Sequence, residues 1–353
     1  MKLTYENIDN NKHVNKRENE PANITILHVG KKGNVERYTD PSETIQGFDI
    51  VDLPSDTSIP KLLEAGGDAD VIIVDAITPV PAKLIEAMPN LKLIQSEGVA
   101  YNAIDIQAAA RKGVFVCNGN GMNASAVAEQ TILLMLGVLK DVINNDNAVR
   151  SGKQIETKEG YMARGDLMEL ADCTVGLLGF GAIAKEVARI LKVFGVKTYY
   201  YSRHKAEAWD EAEYGVSYLP LEEMLSTCNM ISVHVPVTPE TREMVNDDFF
   251  AKMQDGAYLI NTARGEIVDE HALIRALESG KLAMAGLDTL SGEPVRKDHI
   301  LLNQKPEIAT RILLSPHIGG ITVSSFKRGY KTAWRNVKKI TAGERPDHVV
   351  NGL

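Results

Sequence analysis

Three side chains that could perform acid–base chemistry stand far apart in the sequence, each in a short and distinctive context. Arg264 lies in Asn-Thr-Ala-Arg-Gly, Glu293 in Gly-Glu-Pro and His317 in Ser-Pro-His-Ile-Gly-Gly. An imidazole has an unperturbed pKa of about 6.5, so it can donate and accept protons near neutral pH. A carboxylate can orient such a ring, and a guanidinium can bind a carboxylate or polarise a carbonyl oxygen. Each residue alone is more often an ordinary loop residue, but together they predict proton transfer on an anionic substrate.

A glycine-rich loop upstream of these residues indicates a nucleotide site. The apolar run 175–178 ends at Gly179, and the pattern continues through Gly181 to Ala184, where a helical stretch begins. In dinucleotide-binding units the first glycine makes the tight turn, and the second lets the backbone approach the pyrophosphate. The free N–H groups at the helix N-terminus then bind the phosphates. The alternative is a glycine-rich turn without a ligand, but the flanking strand and helix favour nucleotide binding.

The next predicted strand bears on the choice of nucleotide. NAD-binding units commonly end this strand with an acidic residue that holds the ribose 2′-hydroxyl. Here the strand 197–201 is followed by Ser202, Arg203, His204 and Lys205. Ser202 and Arg203 could bind a 2′-phosphate, and Lys205 adds positive charge. We therefore favour NADPH over NADH; the alternative is that these are solvated loop residues and NADH binds.

The two groups of residues together predict hydride transfer to a 2-keto acid. A hydride that arrives at a keto carbon leaves negative charge on the oxygen, which then needs a proton. His317 as an imidazolium could supply that proton, while Glu293 bonds the other ring nitrogen and orients the ring. Arg264 could polarise the keto oxygen and pair with the substrate carboxylate.

The elements that must position these side chains alternate along the chain. The candidate strands are 24–29, 49–53, 71–74, 91–95 and 114–116, followed by 174–178, 197–201, 230–234, 257–260, 283–287 and 312–314. Helical stretches lie between them, including a long apolar helix at 124–142 and a final amphipathic helix at 322–341. Alternation of this kind predicts an α/β protein with parallel sheets. Arg264, Glu293 and His317 each follow a predicted strand, where open α/β sheets bind ligands.

The fold class that this pattern predicts is two doubly wound parallel-sheet domains. A Rossmann NAD(P) domain over 123–320 would be inserted into a flavodoxin-like substrate-binding domain made of 23–122 and 321–353. Residues 1–22 are Asn-rich with few apolar residues, so we predict a flexible N-terminal arm. The helix at 124–142 would lie between the domains or at a dimer contact.

The composition excludes several classes of protein. A net charge of −8 and a pI of about 5.6 argue against nucleic-acid and anionic-membrane partners. No apolar run approaches the roughly 18 residues that span a bilayer, and the N-terminus has no apolar signal segment. Three cysteines without CxxC spacing predict no zinc or other metal site and a reducing, cytoplasmic location.

The motifs, taken together, resemble the D-isomer-specific 2-hydroxyacid dehydrogenase family over nearly the whole of 23–353. The similar segments are 179–184, 234–241, 261–265, 285–288, 293–294 and 316–320. The resemblance implies that Arg264, Glu293 and His317 are the catalytic set. It also implies an NAD(P) cofactor, a small 2-keto or D-2-hydroxy acid as substrate, and a homodimer.

Further site residues follow from the same resemblance. Val99, Ala100 and Tyr101 would form a substrate loop together with Arg264 and His317, with backbone N–H groups of the loop binding the carboxylate. The implied cofactor-binding residues are Gly179, Gly181, Ala182, Ile183, Ser202, Arg203, Lys205, His234, Val235, Thr262, Ala263, Arg264, Asp288, His317 and Gly319. The family often carries Arg where Ala182 stands and Gly where Ala100 stands.

Two alternative functions stay open at this point. The same scaffold serves phosphite-type dehydrogenases, which these motifs do not exclude. A related scaffold serves nucleotide-sensing co-repressors, which would show a peptide-binding surface and longer tails. Because the catalytic set is intact, an enzyme is favoured. Which 2-hydroxy acid is the substrate stays open among glyoxylate, hydroxypyruvate, pyruvate-like and aryl-pyruvate acids.

Overall fold

The computed structural model describes residues 24–43 and 47–353. Within these ranges the chain forms two compact units, the first of the described residues up to Asn118 with Ala333–Leu353 and the second of Gly119–Thr332. The predicted flexible arm at 1–22 lies outside the described residues. The predicted later boundary, at 320/321, falls 12 residues before the observed one at 332/333. Residues just after 320 stay with the second unit because Arg328 donates to the Met122 carbonyl and to Ser125 Oγ.

The first unit is built on a five-stranded parallel sheet. Its strands are β1 Ile24–Gly30, β2 Phe48–Pro54, β3 Val71–Val74, β4 Leu93–Ser96 and β5 Phe115–Cys117, and its helices are α1 Asn34–Tyr38, α2 Ile59–Gly66, α3 Ala82–Ala87 and α4 Ile106–Lys112. The strand order β2-β1-β3-β4-β5 is that of flavodoxin-like sheets. All four residues of β3 are buried, which explains its uninterrupted Val-Ile-Ile-Val sequence.

The second unit is built on a seven-stranded parallel sheet. Its strands are β6 Thr174–Leu178, β7 Lys197–Tyr201, β8 Val216–Tyr218, β9 Met230–Val233, β10 Ala257–Asn261, β11 Leu282–Leu287 and β12 Ile312–Leu314. Its helices are α5 Ala124–Leu139, α6 Val142–Arg150, α7 Gln154–Arg164, α8 Ala182–Val193, α9 Ala208–Tyr214, α10 Leu221–Thr227, α11 Asp247–Lys252, α12 Glu270–Glu278 and α13 Pro306–Ala309, with short 3₁₀ turns at Leu170–Asp172, Gly265–Ile267 and Ile300–Leu302. The strand order is β8-β7-β6-β9-β10-β11-β12. Its first six strands have the 3-2-1-4-5-6 order of dinucleotide-binding sheets, and β12 is added at the end. The predicted fold class is confirmed.

The prediction of one helix over 124–142 is wrong at its C-terminal end. Helix α5 ends at Leu139, and Asp141 adopts the left-handed conformation with φ 49° before α6 begins. The Asp141 carboxylate accepts hydrogen bonds from Asn144 Nδ2 at 2.6 Å and from Tyr161 Oη at 2.8 Å. These bonds stabilise the break and hold α7 beside α6, a pairing that the sequence pattern did not predict.

The last helix, α14 Val323–Thr341, begins in the second unit and ends in the first. In the first unit Trp334 is fully buried, and its indole Nε1 donates to Thr39 Oγ1 at 2.9 Å. Asn336 donates to Gln95 Oε1 on β4 at 2.8 Å. The C-terminal half of this helix therefore covers the first sheet. Among the described helices, none has the length and apolar character that crossing a membrane requires.

Candidate active site

The glycine loop at the end of β6 has the geometry of a nucleotide cradle. Gly179 has φ 101°, and a Cβ there would lie 2.7 Å from the His234 carbonyl oxygen. Its N–H donates to the Tyr201 carbonyl at 2.8 Å, which ties the loop to β7. Helix α8 begins directly afterwards at Ala182, with Gly181 as its N-cap residue and no side chain on the cap. The free N–H groups of this first turn are therefore open to a phosphate.

A cavity of about 510 Å³ opens beside this loop. Its lining consists of Leu178, Gly179, Phe180, Gly181, Tyr201, Ser202, Arg203, His204, His234, Val235, Pro236, Thr238, Glu240, Thr241 and Met244. Burial lowers the pKa of His234 to about 3, so its ring is neutral and bonds Ser232 Oγ at 2.9 Å. The cavity, the glycine cradle and the open helix terminus fit a dinucleotide.

The predicted phosphate-binding residues after β7 divide into two groups. Ser202 and Arg203 line the cavity, and Ser202 Oγ donates to the His204 carbonyl at 2.6 Å. Lys205 is absent from the lining, and its Nζ lies 3.9 Å from Glu211 Oε1. No carboxylate ends β7, whose last residue is Tyr201. Ala182 and Ile183, also predicted to bind the cofactor, begin α8 and do not line the cavity.

Glu293 and His317 form a direct pair in the second unit. Glu293 Oε2 lies 2.6 Å from His317 Nδ1, and Glu293 Oε1 accepts from the Leu290 N–H at 2.8 Å. Both side chains are partly exposed, with 32% of Glu293 and 43% of His317 accessible. His317 has φ 55°, in the left-handed region that few residues other than glycine adopt. The pair leaves Nε2 of the ring as the nitrogen that can exchange a proton with a substrate.

The backbone around His317 is held by a buried carboxylate. Asp288 is 2% exposed and follows β11. Its Oδ2 accepts from the Gly319 N–H at 2.9 Å, and its Oδ1 accepts from the Ile318 N–H at 3.1 Å and from the Ser315 hydroxyl. The resemblance assigned Asp288 to the cofactor; in the structure both oxygens fasten the loop that carries His317.

Arg264 projects from a turn that Asn261 stabilises on both sides. Asn261 Oδ1 accepts from the Ala263 N–H at 3.0 Å, and Asn261 Nδ2 donates to the Arg264 carbonyl at 2.9 Å. The guanidinium is exposed and donates through Nη1 to the Ala263 carbonyl at 2.7 Å. Thr262 is buried, with its hydroxyl 2.8 Å from that of Thr131. The turn thus presents the guanidinium outward and leaves most of its donors available for an anion.

The loops of Arg264 and Glu293 touch through Gly265. A Cβ on Gly265 would lie 1.9 Å from the Leu290 carbonyl carbon and 2.2 Å from the Ser291 nitrogen. Backbone atoms cannot move aside as a flexible side chain can. The turn after β10 and the loop after β11 are therefore packed backbone on backbone, which fixes Glu293 relative to Arg264.

Replacing Gly265 by Ala is expected to disrupt this packing. The new methyl must displace residues 290–291 and with them Glu293, so we expect a loss of about 1–3 kcal/mol in the free energy of unfolding. Urea denaturation of the variant and of the unaltered chain measures this change in the free energy of unfolding. Gly160→Ala is the matched control, because it lies inside α7 and meets only the Arg164 guanidinium at 3.3 Å. Equal effects of the two substitutions would contradict the packing argument.

Comparisons with known proteins agree with this geometry. A family profile described as "D-isomer specific 2-hydroxyacid dehydrogenase, NAD binding domain" matches residues 132–319. The chain is 33% identical over 291 residues to a glyoxylate reductase of Thermofilum pendens, covering 82% of this chain and 84% of that protein. It is 32% identical over 302 residues to a hydroxypyruvate reductase of Blautia hydrogenotrophica, covering 86% and 91%. The apo D-mandelate dehydrogenase structure from Rhodotorula graminis matches with a TM-score of 0.78 at 26% identity, covering 93% of this chain and 97% of that one.

The chain belongs to the D-isomer specific 2-hydroxyacid dehydrogenase family. The predicted family is therefore confirmed, and the chain is an oxidoreductase with the family's NAD-binding domain. The profile match ends at Gly319 and includes the glycine loop, Arg264, Glu293 and His317. In this dehydrogenase the last three follow β10, β11 and β12, which are neighbours in the sheet.

The predicted substrate loop of the dehydrogenase lies in the first unit, directly after β4. The Val99 carbonyl accepts from Asn118 Nδ2 at 2.7 Å, and the Ala100 carbonyl accepts from Ser96 Oγ at 2.7 Å. Across 24–43 and 47–353, the backbone N–H groups of Val99, Ala100 and Tyr101 have no hydrogen-bond acceptor. Carbonyls that are held and N–H groups without an acceptor are features that backbone anion sites share.

Sequence reasoning missed a polar network behind Glu293. Glu270 Oε1 accepts from the Ser291 N–H at 2.9 Å, and Glu270 Oε2 lies 3.2 Å from His299 Nε2. The same His299 nitrogen lies 3.1 Å from the Ser291 carbonyl oxygen. Burial raises the pKa of the Glu270 carboxyl. Glu270 and His299 thus clamp Ser291 on both its backbone groups. Because Glu270 and His299 are 29 residues apart, no local sequence pattern predicted that they pair.

Outside this site, the described titratable and thiol groups form no metal centre and include no activated thiol. Within the two described ranges, no group of His, Cys, Asp and Glu has the arrangement of a metal site. Cys117, Cys173 and Cys228 are buried, and burial raises their thiol pKa values to about 12, 11 and 12. A thiol that stays protonated is a poor nucleophile.

Proposed function

We propose that this dehydrogenase reduces a small 2-keto acid to the D-2-hydroxy acid with NADPH. The observation that carries the proposal is the Glu293–His317 pair at 2.6 Å, with Arg264 on the neighbouring strand end. The glycine cradle and its cavity, in the same unit, support a bound dinucleotide. A proton donor, its orienting carboxylate and an exposed guanidinium are the groups that reduction of an anionic keto acid requires.

The roles proposed for the residues follow from the side-chain atoms that their hydrogen bonds within the protein leave available to the substrate. The cofactor, when bound, supplies the hydride to the keto carbon. His317 Nε2 gives its proton to the keto oxygen, so a C–H and an O–H bond form as the carbonyl π bond breaks. Glu293 accepts from Nδ1 and stabilises the ring that donates. Arg264 polarises the keto oxygen and pairs with the substrate carboxylate. The N–H groups of 99–101 are proposed to bind that carboxylate as well.

The substrate class follows from the relatives rather than from any single side chain. The named relatives reduce glyoxylate or hydroxypyruvate, and the structural neighbour is a dehydrogenase of D-mandelate. We propose a 2-keto acid in this range, starting with glyoxylate and hydroxypyruvate. Initial rates should be measured with both, and with pyruvate and phenylpyruvate, using NADPH and NADH in turn.

The outcome of those rates decides the proposed function. Turnover of at least one 2-keto acid supports it. Failure of all four with either cofactor would overturn it; phosphite oxidation and nucleotide binding without turnover would then be measured. Cofactor binding is followed separately by the fluorescence of the reduced nicotinamide, so an inactive chain and a chain that binds no nucleotide can be told apart.

The preference for NADPH rests on Arg203. Its guanidinium lines the cavity where β7 ends without a carboxylate. We expect Arg203→Ala to raise KM for NADPH by about 10- to 100-fold, because a charge-assisted contact to the 2′-phosphate is lost, and to change KM for NADH much less. Lys197→Ala is the matched control, since Lys197 is an exposed cation at the opposite end of β7. Parallel losses with both cofactors would show that Arg203 does not select NADPH.

A homodimer is also part of the proposal. Helix α5, predicted as a contact, is largely buried in the core of the second unit, and Leu133 is its one large apolar side chain with high exposure in the described structure. Exposed apolar residues gather instead on α6 and α7, including Val149, Ile155 and Met162. We propose this pair of helices as the dimer surface.

A further inference from the structure

A buried histidine joins two carboxylates at one edge of the first sheet. His28 on β1 is 0% exposed; its Nδ1 lies 2.6 Å from Asp52 Oδ1, and its Nε2 lies 2.7 Å from Glu97 Oε1. Asp52 is the cross-strand partner of His28 on β2, and Glu97 directly follows β4. We call these three residues the His28 cluster.

Both ring nitrogens of His28 must donate, because each faces a carboxylate oxygen, which can only accept. Burial alone would lower the pKa of His28, but its hydrogen bonds to Glu97 and Asp52 and their negative charges outweigh burial and raise it. The Asp75 carboxylate, which follows β3, lies on the same edge and accepts from the Ile77 and Thr78 N–H groups. The cluster therefore holds a ring that donates from both nitrogens between two carboxylates, of which Glu97 is buried and Asp52 is partly exposed.

Glu97 connects the His28 cluster to the loop at 99–101, which is proposed to bind the substrate carboxylate. Its own N–H donates to the Val74 carbonyl at 2.7 Å, so its backbone continues the sheet. Its carboxylate accepts from His28 Nε2 at 2.7 Å and, more weakly, from Asn34 Nδ2 at 3.4 Å. The next residue, Gly98, donates to Ser96 Oγ at 3.2 Å, and a Cβ on it would lie 2.8 Å from the Ala76 Cβ. The contacts with Ser96 and Ala76 therefore restrict the backbone at Gly98. The N–H groups at 99–101, which have no acceptor, follow directly.

We propose that the His28–Glu97 hydrogen bond positions the 99–101 loop for the substrate carboxylate. His28 and Glu97 act here as positioning residues, since neither is among the groups proposed to touch the substrate. The inference rests on the proposed function, because it assumes that the loop binds a 2-keto acid. A misplaced loop weakens ground-state and transition-state binding alike, which raises KM more than it lowers kcat.

Three substitutions of Glu97 test the proposal by steady-state kinetics with glyoxylate at saturating NADPH. Glu97→Ala removes the acceptor, and Glu97→Asp keeps the charge but is one methylene too short to reach His28. Both are expected to raise KM for glyoxylate about 10-fold or more, with kcat and the KM for NADPH within about 3-fold. Glu97→Gln keeps an oxygen acceptor at the same reach and should retain most of the affinity. Unchanged KM in the Ala and Asp variants, or equal KM increases in all three, would overturn the proposal.

A second measurement follows the loop without any turnover. Hydrogen–deuterium exchange in a peptide covering 94–104 reports the amides of Glu97, Gly98 and Ile104, which are bonded in the structure. Exchange should rise in Glu97→Ala and Glu97→Asp but not in Glu97→Gln. Lys92→Ala is the matched control, since it removes an exposed ion pair with Asp70 just before β4. If no keto acid turns over, the proposed function fails, yet the exchange data still decide whether Glu97 anchors the loop; equal exchange in all variants would overturn that role.

Discussion

Replacing His317 by Gln will lower kcat for keto-acid reduction by about 10²- to 10⁴-fold, the usual contribution of a positioned general acid. The structure places Nδ1 against Glu293 at 2.6 Å and leaves Nε2 as the only ring nitrogen for the substrate. An amide can mimic the hydrogen bond to Glu293 but cannot donate a proton to an alkoxide. Steady-state rates with the best 2-keto acid measure the effect.

We expect the decrease in kcat of His317→Gln to arise from the chemical step and not from weaker binding of the cofactor. Fluorescence titration with NADPH is therefore expected to give the same dissociation constant for His317→Gln and the unaltered chain within about 3-fold. His271→Gln is the matched control, because His271 is exposed in the first turn of α12 and has no proposed role in the reaction. A decrease in kcat below 10-fold for His317→Gln would mean that the proton comes from elsewhere.

Replacing Arg264 by Gln will lower kcat/KM by about 10²- to 10³-fold, or about 2.7–4 kcal/mol of transition-state stabilisation. Its guanidinium is exposed and bonded to its own turn only through Nη1, so its other donors can bind the substrate. Arg264→Lys keeps the charge but loses the planar fork, and we expect an intermediate loss.

Arg275→Gln provides the matched control for Arg264. Arg275 is also an exposed arginine of the second unit, but it pairs with Asp247 at 2.7 Å on the surface. Its replacement should leave kcat/KM within about 2-fold, because surface ion pairs contribute little. If Arg264→Lys equals the unaltered chain, charge alone suffices and the bidentate role is refuted.

The sequence carried enough information to predict the sheets because buried parallel strands have a simple signature. Val71–Val74 and Ala257–Asn261 are short apolar runs between turn signals, and both are strands. Strand β8 was not predicted, since Val216–Tyr218 has three residues and no run to recognise. The break at Asp141 was also not predicted, because its left-handed backbone is stabilised by Tyr161, 20 residues away.

For the site, the sequence could predict which residues stand at strand ends but not what holds them there. Glu293 and His317 were predicted to pair and do so. His299 gave no such signal, because its partner Glu270 lies on a different element and local spacing carries no information about that contact. His28, within an apolar strand, has the pattern of a core residue; its carboxylate partners are Asp52 on β2 and Glu97 directly after β4.

The left-handed backbone of His317 links its proposed catalytic role to the stability of the fold. At φ 55° a residue with a Cβ is disfavoured by roughly 1–2 kcal/mol relative to glycine. The Asp288 carboxylate, which binds the Ile318 and Gly319 N–H groups, keeps the loop in this conformation. Thermostability and turnover therefore favour different residues at position 317. Selection of variants for heat resistance alone would therefore favour glycine at position 317. Such variants would lack the proposed proton donor and would not reduce the keto acid.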